Sequence, residues 1–355
     1  MMNISFANTN RSRWILCAML ALSCAILPSC NKKTEETAAA GKKLVVGFSQ
    51  IGSESGWRTA NTISIKEEAA KRGIDLRFLD AQQEQENQLK ALRSFIQQKV
   101  DVIAFSPKVD TGWEEVLKEI KAAGIPVILT DRAVAVPDDS LYVTFIGSDF
   151  VEEGRRAAKW FVENTKGDLK VFELLGTPGS SPANDRSKGF KEVIADHPRI
   201  TIVKSQTGNF TRPMGKEVME AFLKTPEGEN FNALYSHNDD MAIGAIQAIK
   251  AAGKKPGTDI TIVSVDAVKD AFEAIVAGEL NCTVECNPLL GPKLFDIIEA
   301  ALAAKTLKAN ATKHKLFAPD VLKAIGIDAF NKRIVMEEGV FDKTNAKELL
   351  SGRKY

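Results

Sequence analysis

Glu54, Ser55, Gly56, Trp57 and Arg58 follow one another just beyond a short apolar stretch, residues 44–48. An indole beside a guanidinium suits a small polyol: the ring covers an apolar C–H face while Arg58 donates several hydrogen bonds to hydroxyls. Polar groups of the same kind follow other apolar runs. Asp131-Arg132 comes after residues 125–130, and Arg186, with Asn184 and Asp185, comes after the loop Gly176-Thr-Pro-Gly-Ser-Ser181. Asn238 stands in His237-Asn-Asp-Asp240 and Asp266 closes residues 260–265. Carboxylates accept from vicinal hydroxyls, whereas Arg and Asn donate to hydroxyl and ring oxygens, at roughly 1.5–3 kcal/mol for each charge-assisted bond. Pairing Arg132 with Asp131, and Arg186 with Asp266, avoids the cost of isolated buried charges. Such a neutral cluster selects neither an anion nor a cation.

Each of these residues has a plainer role open to it. Asp131 and Asn238 are good helix N-caps. Trp57 is a core residue by type, and Trp113 and Trp160, on helical patterns, read as core or interdomain packing. Arg186 could be solvated, although a cation in a first helical turn opposes the helix dipole. If Arg186 acts only on a ligand, Arg186→Ala is expected to weaken binding at least about tenfold, a loss of ~1.4 kcal/mol, and to leave the ligand-free melting temperature nearly unchanged.

Enzyme chemistry finds little support. There is no Gly-rich loop followed by Lys-Ser/Thr, no strand-coupled G-x-G-x-x-G, no H-E-x-x-H and no G-x-S-x-G elbow. His197, His237 and His314 have no metal-ligand spacing. Cys282 and Cys286 are about 13 Å apart if they share a strand at ~3.3 Å per residue. That is too far for a disulfide without a sharp bend, and no zinc site is expected. Neither a metal nor a cofactor is called for.

What positions these groups is a regular alternation. Strands are expected at residues 44–48, 74–79, 100–105, 125–130 and 142–147, with helices at 59–71, 84–98 and 111–123. A second series follows, with strands at 169–175, 201–205, 233–236, 260–265 and 281–285. Its helices are expected at 182–195, 212–224, 240–252 and 268–276. A long helix spans 289–304, and 313–317 reads as a further strand. Near-continuous Val/Ile strands alternating with helices predict parallel sheets covered on both faces. Two series of similar size predict an α/β chain of two doubly wound lobes, whose strand C-termini are where such sheets bind ligands.

With 44% hydrophobic and 26% charged residues the chain is of ordinary globular composition, and 47 Lys+Arg against 46 Asp+Glu leaves a formal charge of +1. No electrostatic footprint for nucleic acid is present. Arg11 and Arg13 precede an apolar run, residues 14–27, shorter than the ~20 residues that span a bilayer but suited to a signal segment. The run ends in Leu27-Pro-Ser-Cys30, which resembles a bacterial lipobox with Pro28 as a departure. Lipidation is expected at Cys30, and cleavage near Ala38-Ala-Ala40 is the alternative. Either places the protein outside the cytoplasm, in the periplasm or at the cell surface, and residues 1–43 form signal segment and tether.

From about residue 44 to 317 the chain resembles the type I periplasmic sugar-binding proteins of bacterial ABC transporters, the ribose- and galactose-binding group. Within it the likeness is greatest to galactofuranose-binding proteins. It rests on Val46-Gly-Phe-Ser-Gln50, Gly52-Ser-Glu-Ser-Gly-Trp-Arg58, residues 83–87, Thr111-Gly-Trp113, Asp185-Arg186, Gly208 with Phe210-Thr-Arg212, and the segment 237–249. The resemblance implies three crossovers joining the lobes, with hinge crossings near Gly147, Asn287 and Lys315. The first lobe is then 44–147 plus 288–314, and 148–287 plus 315–355 form the second lobe and a tail. It implies a monomer closing on one monosaccharide, held by Glu54, Ser55, Gly56, Trp57, Arg58, Asp131, Arg132, Arg186, Asn238 and Asp266. A membrane permease then takes the ligand from the closed form. The alternative output is presentation of the sugar to a chemoreceptor or sensor kinase. Where many relatives carry Gln after the last strand this chain has Cys286, one polar contact fewer.

Overall fold

The computed structural model describes residues 43–309 and 332–355. In the first lobe β1 (Val45–Gln50), α1 (Gly56–Lys71), β2 (Asp75–Asp80), α2 (Gln85–Gln98), β3 (Val102–Phe105), α3 (Glu114–Ala122), β4 (Val127–Thr130) and β5 (Thr144–Gly147) alternate. The second lobe runs through α4 (Phe150–Asn164), β6 (Leu169–Leu175), α5 (Ser181–Ile194), β7 (Ile200–Thr207), α6 (Arg212–Phe222) and α7 (Pro226–Asn230). It continues with β8 (Ala233–Ser236), α8 (Asp239–Ala251), β9 (Thr261–Asp266), α9 (Lys269–Val276) and β10 (Cys282–Glu285). The chain then re-enters the first lobe as α10 (Gly291–Ala309) and supplies β11 (Arg333–Val335) and β12 (Val340–Asp342). Two six-stranded sheets result, ordered β11-β5-β4-β3-β1-β2 and β12-β10-β9-β8-β6-β7.

Every pairing is parallel except that of β12 with β10. Central parallel strands must be apolar on both faces, and β3 and β4 are buried at every residue. The period of two is plain in β3. Val102 and Ala104 join Ile65 of α1 and Leu294 and Phe295 of α10, whereas Ile103 and Phe105 join Leu92, Phe95 and Trp113 on the other face. Trp113 is thus core, its ring 5.1 Å from that of Phe105.

Three local features differ from the sequence expectation, and each bears on the site. Helix α1 begins at Gly56, not near residue 59, because Ser55 Oγ accepts the Arg58 N–H at 3.1 Å and caps it. Trp57 and Arg58 therefore lie in its first turn. Helix α4 contains Trp160, whose helical pattern the sequence shows without marking the bounds of the helix. Its buried stripe includes Gly154, Ala157 and Ala158, too small to register as an apolar period. A Cβ on Gly154 would lie 2.2 Å from the Arg186 carbonyl oxygen, and one on Gly189 1.9 Å from that of Val151. Only bare glycines allow α4 and α5 this close, and the approach sets Glu153 beside Arg186.

The third difference is the tail. Residues 315–355, expected as second-lobe sequence and tail, divide between the sheets: β11 pairs with β5 in the first and β12 with β10 in the second. The last crossing of the chain therefore falls between Val335 and Val340; a crossing near Lys315, like the strand expected at 313–317, lies outside the described residues. A three-residue strand carries too little pattern to be legible. Among the described residues no helix is long and apolar enough to cross a membrane.

Candidate functional site

A polar pocket lies between the lobes, with about 280 Å³ of space not filled by atoms, part of it continuous with solvent. Glu54, Ser55, Trp57, Arg58, Asp131, Arg132, Arg186, Asn238 and Asp266 line it, together with Pro182, Phe210 and Cys286. Of the ten residues singled out in the sequence, Gly56 alone does not. Its backbone N–H instead donates across the cleft to Asp240 Oδ2 at 2.7 Å.

In the first lobe Arg58 is the organising group. Its Nε is 3.0 Å from Glu54 Oε1 and its NH2 2.7 Å from Asp131 Oδ2, which also accepts from Ser106 Oγ at 2.8 Å. Burial works against this guanidinium, yet Asp131 and Glu54 outweigh it and raise its pKa. Asp131 is neither an N-cap nor the tight partner of Arg132, as its sequence setting suggested. Its φ of +62° turns the carboxylate to Arg58 and leaves Arg132 Nε 3.8 Å away. A left-handed non-glycine residue costs of order 1–3 kcal/mol, and such strain gathers at ligand sites.

Arg132 is the poorly satisfied cation. NH1 donates to the Lys108 carbonyl at 2.8 Å, but the buried Nε has no hydrogen-bond partner. Burial, with Arg58 next to it, pushes its pKa down to about 10. Buried donors are rarely left unpaired, and this one belongs to a residue that lines the pocket between the lobes.

The second lobe repeats the arrangement. Arg186 is 3% exposed and not solvated; Nε donates to Glu153 Oε2 at 2.6 Å and NH1 to the His237 carbonyl at 2.6 Å. Asp266, expected as its partner, is a loose 3.5 Å from NH2. Burial pushes the Asp266 carboxyl up, with Arg186 opposing. Asn238 is the N-cap of α8, accepting from Met241 N at 3.0 Å, and its amide also donates to the Phe210 carbonyl at 3.1 Å. Capping and facing the cavity are compatible. Trp57 is buried but lines the wall, its Nε1 donating to the Cys286 carbonyl at 2.6 Å.

A model of the periplasmic binding protein domain matches residues 46–309. The chain belongs to this family. It is 51% identical to the galactofuranose-binding protein YtfQ of Escherichia coli K12 over 284 residues, 79% of this chain and 89% of the relative. Among solved structures it is similar to the binding component of the arabinose ABC transporter from Shewanella sp. ANA-3, bound to α- and β-L-arabinofuranose. There the TM-score is 0.78 and the identity 50%, over 87% of this chain and 95% of that one. A Mycobacterium smegmatis structure in complex with β-D-fucofuranose gives a TM-score of 0.76 at 51% identity, over 88% and 95% of the two chains. The architecture is that of the type I fold, two parallel-sheet α/β lobes, and the family is one of binding proteins and not of enzymes.

This periplasmic binding protein has three cavity residues outside the ten named from the sequence, Pro182, Phe210 and Cys286, the last noted there only as a departure from the Gln of many relatives. Phe210 has a φ of +64° and places its ring beside Arg132 and Arg186, 5.2 and 5.9 Å from their guanidinium carbons. Cys286 lies just past β10. The lobes also meet directly around the cavity. Besides Gly56 with Asp240, Asp110 N donates to the Gly179 carbonyl at 2.9 Å and Ala133 N to Ser181 Oγ at 3.0 Å. Separating the lobes breaks all three bonds.

Proposed function

We propose that this exported protein closes on one furanose sugar and delivers it to the permease of an ABC importer, as a monomer tethered through a lipid on Cys30. Arg132 Nε, a buried donor without a hydrogen-bond partner on a residue that lines the polar pocket between the lobes, carries the reading. Asp266, only loosely engaged by Arg186, supplies the matching acceptor for a hydroxyl pair. The named ligands of the three relatives above share a five-membered ring, which selects furanoses over pyranoses as the substrate class. A sugar touching both lobes has greater affinity for the closed state and stabilises it, and that state is what a permease can recognise.

A thermal-shift screen of methyl furanosides against the matching methyl pyranosides tests the ring preference, since glycosides cannot interconvert. A furanoside at about 1,000 times its Kd is expected to stabilise the fold by ~4 kcal/mol, with no product formed. Equal shifts from the pyranosides would overturn the furanose assignment, and turnover would overturn the binding reading. Cys30 lies outside the described residues, and its tether has its own test. Cys30→Ser is expected to move the protein from the membrane to the soluble fraction, and unchanged fractionation argues against the anchor.

A further inference from the structure

We propose that Glu153, Cys286 and Glu338 form a second ligand site, for a divalent cation of the zinc type, at the hinge. One donor atom from each lies within 4.8 Å of the others. They come from three distant stretches: Glu153 from the first turn of α4, Cys286 just after β10, and Glu338 from the link between β11 and β12. These are the places where the chain passes between the sheets.

Glu153 is 1% exposed; Oε2 is taken by Arg186, and Oε1 has no hydrogen-bond partner. Cys286 and Ser148 stand close enough to oppose the rise that burial imposes on this carboxyl, so its unpartnered oxygen sits beside the thiol and the second carboxylate. The other two groups are held in place. Glu338 Oε1 accepts from Ser148 Oγ and, at 3.2 Å, from the Asn287 N–H, while Ser148 Oγ is 3.2 Å from Cys286 Sγ. Such outer hydrogen bonds orient metal ligands.

One sulfur with two carboxylates suits zinc and its neighbours, not magnesium or calcium, which take oxygen alone. Donors at ~2.0 and ~2.3 Å from a tetrahedral ion lie about 3.5 Å apart, so the side chains draw in by roughly 1 Å on binding. Water or Ser148 Oγ completes the fourth position. Arg186 is 2.6 Å from Glu153, and burial raises the Cys286 thiol and the Glu338 carboxyl, so a dication binds here by displacing protons from its ligands. A cation held at all three passages fixes the lobes relative to each other, and by reciprocity it tightens sugar binding if the sugar reading holds. Direct cation binding does not depend on that reading.

Metal-stripped full-length protein is titrated with Zn²⁺ by calorimetry and with Co²⁺ by absorption. One site of micromolar Kd or better is expected, with proton release and a thiolate-to-cobalt band. Glu338→Gln and Cys286→Ser are each expected to weaken it at least about tenfold, and Cys286→Ser to remove the band. Because Glu338→Gln keeps every thiol, its loss separates this site from metal held by other cysteines. No Zn²⁺ binding at about 1 mM, or wild-type affinity in either folded variant, overturns the proposal.

Discussion

Arg186→Ala is expected to lower the thermal midpoint with sugar absent as well as to abolish tight sugar binding. From residue type alone the substitution should have left the ligand-free fold untouched. The structure reverses that expectation, because Arg186 is a buried counter-ion before it is a ligand contact. Glu153 is 2.6 Å from its Nε and 1% exposed, so truncation strands a carboxylate where water cannot reach it. Removing one partner of a buried pair costs about 3–5 kcal/mol. At ~2–4 °C per kcal/mol for chains of 150–250 residues, a fall of several degrees follows, at the lower end for a longer chain. Arg186→Lys keeps the charge but cannot reach Glu153 and the His237 carbonyl with a planar fork, and is expected to fall between the two. Calorimetric scans of the three proteins without sugar decide the matter. An alanine variant that melts with the wild type would show that Glu153 is not held by this guanidinium.

The cavity-lining residues were legible where the fold alone settles their place. Trp57, Asp131, Asn238 and Asp266 stand at or just beyond the C-terminal ends of parallel strands, and doubly wound sheets gather such positions at one cleft. Partners were not legible. Asp131 and Arg132 are neighbours in sequence, yet a backbone φ of +62° directs the carboxylate to Arg58, and no pattern of residue types encodes that angle. Glu153 escaped notice because α4 presents Gly and Ala where an apolar stripe would show. Glu338 follows a strand of three residues, and its nearness to Glu153 and Cys286 arises only once all three passages between the sheets are formed. What one β-α unit establishes by itself is readable; what depends on two distant units meeting is not.

Asp240 is such a meeting point, and Asp240→Ala is expected to weaken sugar binding although the side chain does not line the cavity. Its Oδ2 accepts the N–H of Gly56, the first residue of α1, at 2.7 Å. The first N–H groups of a helix have no partner within it, and the N-terminus favours negative charge. A carboxylate from the second lobe thus caps a helix of the first, and only while the lobes are together. Arg212 Nε, 3.0 Å from Oδ1, holds the carboxylate in place and is itself tied to Asp270 at 2.6 Å. A hydrogen bond to a charged group is worth about 1.5–3 kcal/mol, which corresponds to a rise of roughly ten- to a hundredfold in Kd if the open form loses all of it. The loss should fall on the dissociation rate, since the bond forms after encounter. Asp240→Asn retains an acceptor oxygen for Gly56 without the charge, and is expected to lose less. Stopped-flow rates with the furanoside, beside the radius of gyration of the sugar-saturated variant in solution, separate a weaker latch from a damaged site. Wild-type dissociation in Asp240→Ala would mean that the bridge adds nothing to the closed state, leaving the sugar's own contacts to hold the lobes together.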